Sequence, residues 1–161
     1  MNRRITQIFV GALILLMGSG LNAQTRFLEW DEAIAQATAE KKIVVIDVYT
    51  DWCGWCKRMD KDTYNNDKVS AMINENFKAV KINPEKPGTF KLNGKEYTSR
   101  DLVATLSNNG VRGYPATLFL VPHASNKAEL SVGYKPADAF LTELNTLRTK
   151  YGSGPATQTK N

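Results

Sequence analysis

The chain has 161 residues, 42% of them hydrophobic and 23% charged, enough for one globular domain with a proper core. Its net charge of +5 is modest and spread along the chain, without the basic block that tracks phosphates, which argues against a nucleic-acid partner. Two Cys and one His are too few for a structural zinc site, which takes four ligands, and no metal or other cofactor is expected.

Residues 1–23 read as an export signal. Arg3 and Arg4 give a positive start, residues 8–17 an apolar run, and small residues lead to Ala23, after which cleavage is expected. The run is too short to span a bilayer, which takes about 20 apolar residues, so no stable membrane insertion is expected after cleavage. Residues 27–42 place Leu28, Ala33, Ile34 and Ala37 at helical spacing, with Asp31 able to cap. Residues 43–49 (IVVIDVY) form a β-branched run suited to a central strand covered on both faces. The motif WCGWCK follows directly and leads into a helix, and a second helix is expected over 67–76. Residues 78–82 make another short strand.

Residues 84–88 break the pattern, and 91–98 carry an Asn-Gly pair suited to a tight hairpin turn. Ser99 can cap a helix over 100–107. Strands are expected at 117–121 and 129–134, joined as a hairpin through the polar turn 123–127, where His123 reads as a surface residue. Pro136 starts a last helix with Phe140, Leu141, Leu144 and Leu147 on one face. Residues 152–161 have nothing to bury and read as a flexible tail. This order argues an α/β fold with a mixed central sheet.

The two Cys lie three positions apart, at Cys53 and Cys56. A bridge closing so small a loop stabilises little by chain entropy, which leaves redox chemistry. Disulfide exchange needs one accessible thiolate and a second thiol near enough to attack the mixed disulfide. At a helix start, Cys53 faces unpaired N–H groups and the positive end of the helix dipole, which lower a thiol pKa from about 8.5 toward roughly 3.5–7.5. Cys56, one turn further in, is the resolving thiol. Asp47, inside an apolar strand, is costly to bury as a carboxylate; with a raised pKa it could shuttle a proton for Cys56, unless it faces water from an edge strand. Lys81 could pair with it or be exposed. The residues alone allow Tyr114-Pro115 to be an ordinary trans turn or a cis bond. Trp52, Trp55 and Tyr114 could rim the site for a partner protein.

These segments resemble a known family. Residues 43–57 (IVVIDVYTDWCGWCK) look like the active-site strand and turn of thioredoxin, and Lys81-Ile82-Asn83, residues 110–115 (GVRGYP) and Val132-Gly133 resemble three further thioredoxin segments in the right order. The resemblance covers about residues 27–150. It implies a thioredoxin fold over 24–151, with the N-terminal helix added and a hairpin and helix inserted around 84–109. It further implies that Pro115 is cis, Asp47 is the buried proton carrier, Lys81 is its neighbour, Cys53 attacks, and Trp52, Gly54, Trp55, Gly113, Tyr114 and Pro115 contact substrate. Trp55 stands where thioredoxin has proline, and the helix after Cys56 lacks a kinking proline. That helix, with Tyr49 and Asp51-Trp52 before it, is similar to the C-terminal periplasmic domain of DsbD, a transmembrane thiol reductase. This similarity makes Asp60, four positions past Cys56, a possible modulator.

The expectation is therefore a thiol-disulfide oxidoreductase exported to the periplasm, reducing disulfides in exported proteins with electrons from a membrane donor. An oxidase or isomerase uses the same chemistry in reverse, and a redox-idle binding module is the remaining alternative.

Overall fold

The computed structural model describes residues 24–122 and 128–152. The expected export signal, the 123–127 turn with His123, and the tail beyond Gly152 lie outside those residues.

The helix α1 (Trp30–Glu40) leads into β1 (Ile43–Val48), and α2 (Gly54–Met59) then continues as a π-helical segment, Asp60–Tyr64. Next come α3 (Asp67–Asn76), β2 (Phe77–Ile82), the hairpin β3 (Thr89–Leu92) and β4 (Lys95–Thr98), and α4 (Ser99–Leu106). β5 (Ala116–Leu120), β6 (Ala128–Val132) and α5 (Ala137–Tyr151) complete the order. The main sheet runs β2-β1-β5-β6, with β1 parallel to β2 and antiparallel to β5, and β5 antiparallel to β6. This is the mixed α/β thioredoxin architecture expected, with the β3–β4 hairpin and α4 inserted between β2 and β5.

Every residue of β1 is buried, as its apolar run requires of a strand with helices on both faces. Alternation divides it. Val44, Ile46 and Val48 join a core with α1, α4 and the hairpin, including Trp30, Leu92 and Leu102. Ile43 and Val45 join the other core, with Met59, Tyr64, Ile73, Phe119 and Phe140 from α2, the π-helical segment, α3, β5 and α5. By the same alternation Asp47 belongs with this second face.

Local chemistry explains the boundaries that differ from expectation. Helix α1 begins at Trp30 rather than near Phe27, and Asp31 lies inside its first turn while Glu29 occupies the cap without a side-chain bond. The preceding residues are held extended instead: Phe27 bridges to Ala79, and the Leu28 N–H donates to the Ala79 carbonyl at 2.8 Å. The cap of α4 is Thr98, not Ser99; its Oγ1 accepts the Asp101 N–H at 3.1 Å. The Asn-Gly turn forms as expected, with Asn93 and Gly94 both in the left-handed region (φ 52° and 77°) that such hairpins demand. Strand β6 stops at Val132 because Gly133 turns left-handed (φ 78°) and donates its N–H to the Pro115 carbonyl at 2.9 Å.

Phe140 anchors the second core, fully buried with its ring edge-on to Tyr64 at 5.5 Å. Phe140→Ala is expected to cost about 3–5 kcal/mol, read as a lower urea midpoint at unchanged slope.

Candidate active site

Cys53 is the N-cap of α2 and Cys56 lies in its first turn; the two are joined in a disulfide with Cα atoms 5.3 Å apart. The Cys53 Sγ accepts the Cys56 N–H at 3.1 Å, so a helix-start donor does point at the sulfur expected to attack. The two residues are almost equally covered, at 5% and 4% exposure, so exposure does not separate their roles in this oxidised state. Their positions differ, Cys53 capping the helix and Cys56 lying inside it. Gly54, at the outer face of the turn, is exposed and its Cβ position meets no atom.

Two aromatic pairs flank the disulfide. On one side the exposed Trp52 ring meets Tyr114 edge-on, with centroids 5.9 Å apart. On the other, Trp55 lies 5.4 Å from Tyr134, and the Arg58 guanidinium covers both rings at 5.3 and 5.4 Å. The Tyr114-Pro115 peptide is cis, Gly113 beside it is exposed, and Ala116 after it pairs with both Val48 and Val132. Trp52, Trp55 and Val132 are the exposed large hydrophobic residues among those described; the two Trp flank Cys53 in sequence, and Val132 pairs with Ala116, the residue after Pro115.

Beneath this rim is a charged network. Asp47 sits on a central strand, not an edge, and is 2% exposed. Its register partner on β2 is Lys81, whose Nζ donates to Asp47 Oδ2 at 2.6 Å and to Asp60 Oδ1 at 2.5 Å. The ammonium is also ringed by Phe27, Tyr49 and Tyr64, with centroids 4.8, 5.0 and 5.7 Å away. Burial raises Asp47 from 3.8 to about 6, and the opposing pull of Lys81 only partly offsets it. Burial opposes the charge on Lys81, but Asp47 and Asp60 together outweigh it and move the amine upward. Burial, followed by the charge of Asp47, pushes the Tyr64 phenol well above its usual value, so it remains a neutral hydroxyl, 3.3 Å from the Thr117 hydroxyl.

Asp60 reaches Lys81 from the start of the π-helical segment, where the Asn65 N–H bonds the Asp60 carbonyl at 3.0 Å, an i to i+5 closure. The end of the segment is pinned by two bonds: Thr25 Oγ1 donates to the Tyr64 carbonyl at 2.6 Å and Thr63 Oγ1 to the Lys135 carbonyl at 2.5 Å. No sequence signal announced the widened turn. Nor did periodicity reveal that Phe27 would fold over Lys81, or that Arg58 and Tyr134 would hold Trp55. The residues singled out in sequence, from Cys53, Cys56, Asp47, Lys81 and Asp60 to Trp52, Trp55, Tyr114 and Pro115, come together at one end of β1.

The family model Thioredox_DsbH, described as "Protein of unknown function, DUF255", matches residues 20–149. The chain belongs to this thioredoxin-like family. Among curated proteins it is 29% identical over 116 residues to the thiol:disulfide interchange protein DsbD of Ralstonia nicotianae, a match covering 72% of the chain and 17% of DsbD. The chain thus spans about a sixth of the length of that relative. A thioredoxin structure from Thermus thermophilus superimposes with TM-score 0.62 at 25% identity, over 80% of this chain and 91% of that one. The reduced C-terminal domain of Neisseria meningitidis DsbD does so with TM-score 0.51 at 24% identity, over 72% and 91%. That second likeness is one of fold. Among the described residues no helix is long and apolar enough to cross a membrane.

The raised carboxyl of Asp47 gives a signed pH dependence. A folded-state value of about 6 against 3.8 means the native state holds a proton that the unfolded chain releases first. Its contribution is present below the lower value and lost as pH rises through the higher. Asp47→Asn removes this decline, so the variant should gain on wild type by about 3 kcal/mol across that window, measured as urea-unfolding free energies at several pH values. A pH-independent difference would show that the carboxyl is not perturbed.

Proposed function

We propose that this protein is a thiol-disulfide reductase of the cell envelope, drawing electrons from a membrane-embedded donor and passing them to oxidised exported proteins. The observation that carries the reading is the Cys53–Cys56 pair at a helix start, just past the strand that buries Asp47, whose carboxyl is raised to about 6. Family membership and the likeness to DsbD support the same chemistry.

The proposed steps are those of dithiol exchange. In the reduced protein the Cys53 thiolate, stabilised by the helix-start N–H groups, attacks one sulfur of a substrate disulfide. A Cys53–substrate bond forms and the first substrate thiolate leaves. Asp47, ionised, takes the proton of Cys56, whose thiolate attacks Cys53 Sγ. The second substrate thiol departs with a proton, and the Cys53–Cys56 disulfide remains. Two electrons have passed from the dithiol to the substrate. Lys81 and Asp60 adjust the proton affinity of Asp47, and Trp52, Gly54, Trp55, Gly113, Tyr114 and Pro115 form the surface on which the substrate lies. A membrane donor returns the electrons, which a reductant in an oxidising compartment requires.

Cys56→Ser is expected to leave the attacking thiol without its resolving partner and to accumulate covalent adducts with exported proteins, visible on non-reducing gels and released by dithiothreitol. Cys53→Ser should form none. If both variants preserve the cellular phenotype and no adducts appear, the protein is a binding module instead.

Direction is decided by the equilibrium reduction potential of the couple, measured against glutathione or dithiothreitol. A value near or below about −230 mV is expected for a reductant of this type, whereas one above about −180 mV would make the protein an oxidase or isomerase.

A further inference from the structure

The role of the segment inserted between β2 and β5 can be read from what its first residues grip. Trp52 is 68% exposed, the highest value among the exposed large hydrophobic residues described. An indole so open to water is ordinarily free to change rotamer, yet this one is held on two sides. Its Nε1–H donates to Glu85 Oε2 at 3.0 Å, and its ring meets Tyr114 edge-on.

Glu85 is itself fixed. Its N–H donates to Asn83 Oδ1 at 2.9 Å, and Asn83 Nδ2 donates to Asp51 Oδ1 at 3.4 Å. The neighbouring Lys86 Nζ pairs with Asp51 Oδ2 at 2.9 Å. The Lys86 carbonyl accepts the Ser99 hydroxyl at 2.7 Å, and Ser99 begins α4. One loop, fastened to the inserted helix, therefore grips both residues that precede Cys53.

The Trp52–Glu85 bond and the Lys86–Asp51 pair are solvent-exposed, and exposed pairs of this kind contribute little to stability. What they do is remove rotamer freedom from an aromatic side chain beside the disulfide. A pre-ordered aromatic surface strengthens association because ordering need not occur during binding, and such rings dominate contact energies. Tyr114 belongs to the same cluster: burial, then the nearby Glu85 charge, holds its phenol above the usual value.

Resting on the reductase reading, we infer that Glu85 is a positioning residue that locks the Trp52 indole as one wall of the substrate surface, selecting partner segments with an apolar or aromatic side chain next to the disulfide. The inserted segment is then a recognition device, and its effect is on substrate binding rather than on the sulfur chemistry.

The test is steady-state reduction of two substrates: a peptide disulfide with Phe next to its Cys, and bis(2-hydroxyethyl) disulfide, which has no side chain to offer the indole. In Glu85→Ala the peptide KM should rise about five- to tenfold with kcat within about twofold, and the preference for the peptide over the small disulfide should fall in proportion. Glu85→Gln keeps an oxygen for the indole N–H and should restore most of the affinity. Trp52→Phe, which keeps a ring but loses the N–H, should match Glu85→Ala, and the double variant should lose nothing more. An unchanged peptide KM in Glu85→Ala overturns the inference, as does a kcat loss shared by both substrates or a Gln variant as impaired as Ala. Wild-type protein that reduces neither disulfide overturns the reductase reading and this inference together.

Discussion

A carboxyl group placed inside a six-residue apolar strand constrains much of this molecule. Asp47 cannot be left ionised and alone in the core, because an unpaired buried charge costs several kcal/mol. Lys81, its register partner on the parallel neighbour, supplies the counter-charge, but an ammonium drawn below the surface needs its own compensation. It receives this from Asp60 and from three aromatic rings. The pairing of β1 with β2, the path of the chain after Cys56 and the docking of the first described residues all bring groups to that one ion pair. Because burial outweighs the attraction, the carboxyl stays poised to exchange a proton near neutrality instead of remaining permanently charged.

The π-helical segment departs from regular helix geometry, and it lies next to the network. A regular helix continued from Cys56 would close its bonds one residue sooner than the closure seen between Asn65 and Asp60. The widened turn carries Asp60, Thr63 and Tyr64 together, with Thr63 and Tyr64 buried and Asp60 reaching Lys81. Thr25 binds the Tyr64 carbonyl, and Asn74 holds Gln24 and Arg26 by bonds of 2.9 and 2.8 Å, so the N-terminal strap is stitched to α3 while Phe27 covers Lys81.

Much of this was legible in the sequence, for identifiable reasons. The apolar run around Asp47, the Cys spacing and the Asn-Gly turn each depend on local chemistry, and all appear where expected. The strap did not, because Phe27 and Leu28 continue the helical spacing of α1 and only their pairing with Ala79, some fifty residues on, draws them out of it. The π-helical turn was invisible for a related reason: it arises from the competing claims of Lys81, Thr25 and Lys135 on one short stretch, and none of these is a neighbour in sequence. Glu85 looked like one more charge in a polar break. Its importance to the site depends on Trp52 standing beside it in space.

The alternation of β1 has a consequence for how this scaffold can vary. Asp47 and its partners occupy one face of the strand, whereas the hairpin, α4 and Tyr114 pack on the other, and the two Cys stand past the end where the faces meet. On the proposed reading, the proton carrier and the Trp52 wall thus lie on opposite sides of the same sheet. Changing the inserted loop leaves the carboxyl's surroundings untouched, and altering those surroundings leaves the Trp52 wall in place. Under the proposed function, that wall can be reshaped without retuning the proton chemistry.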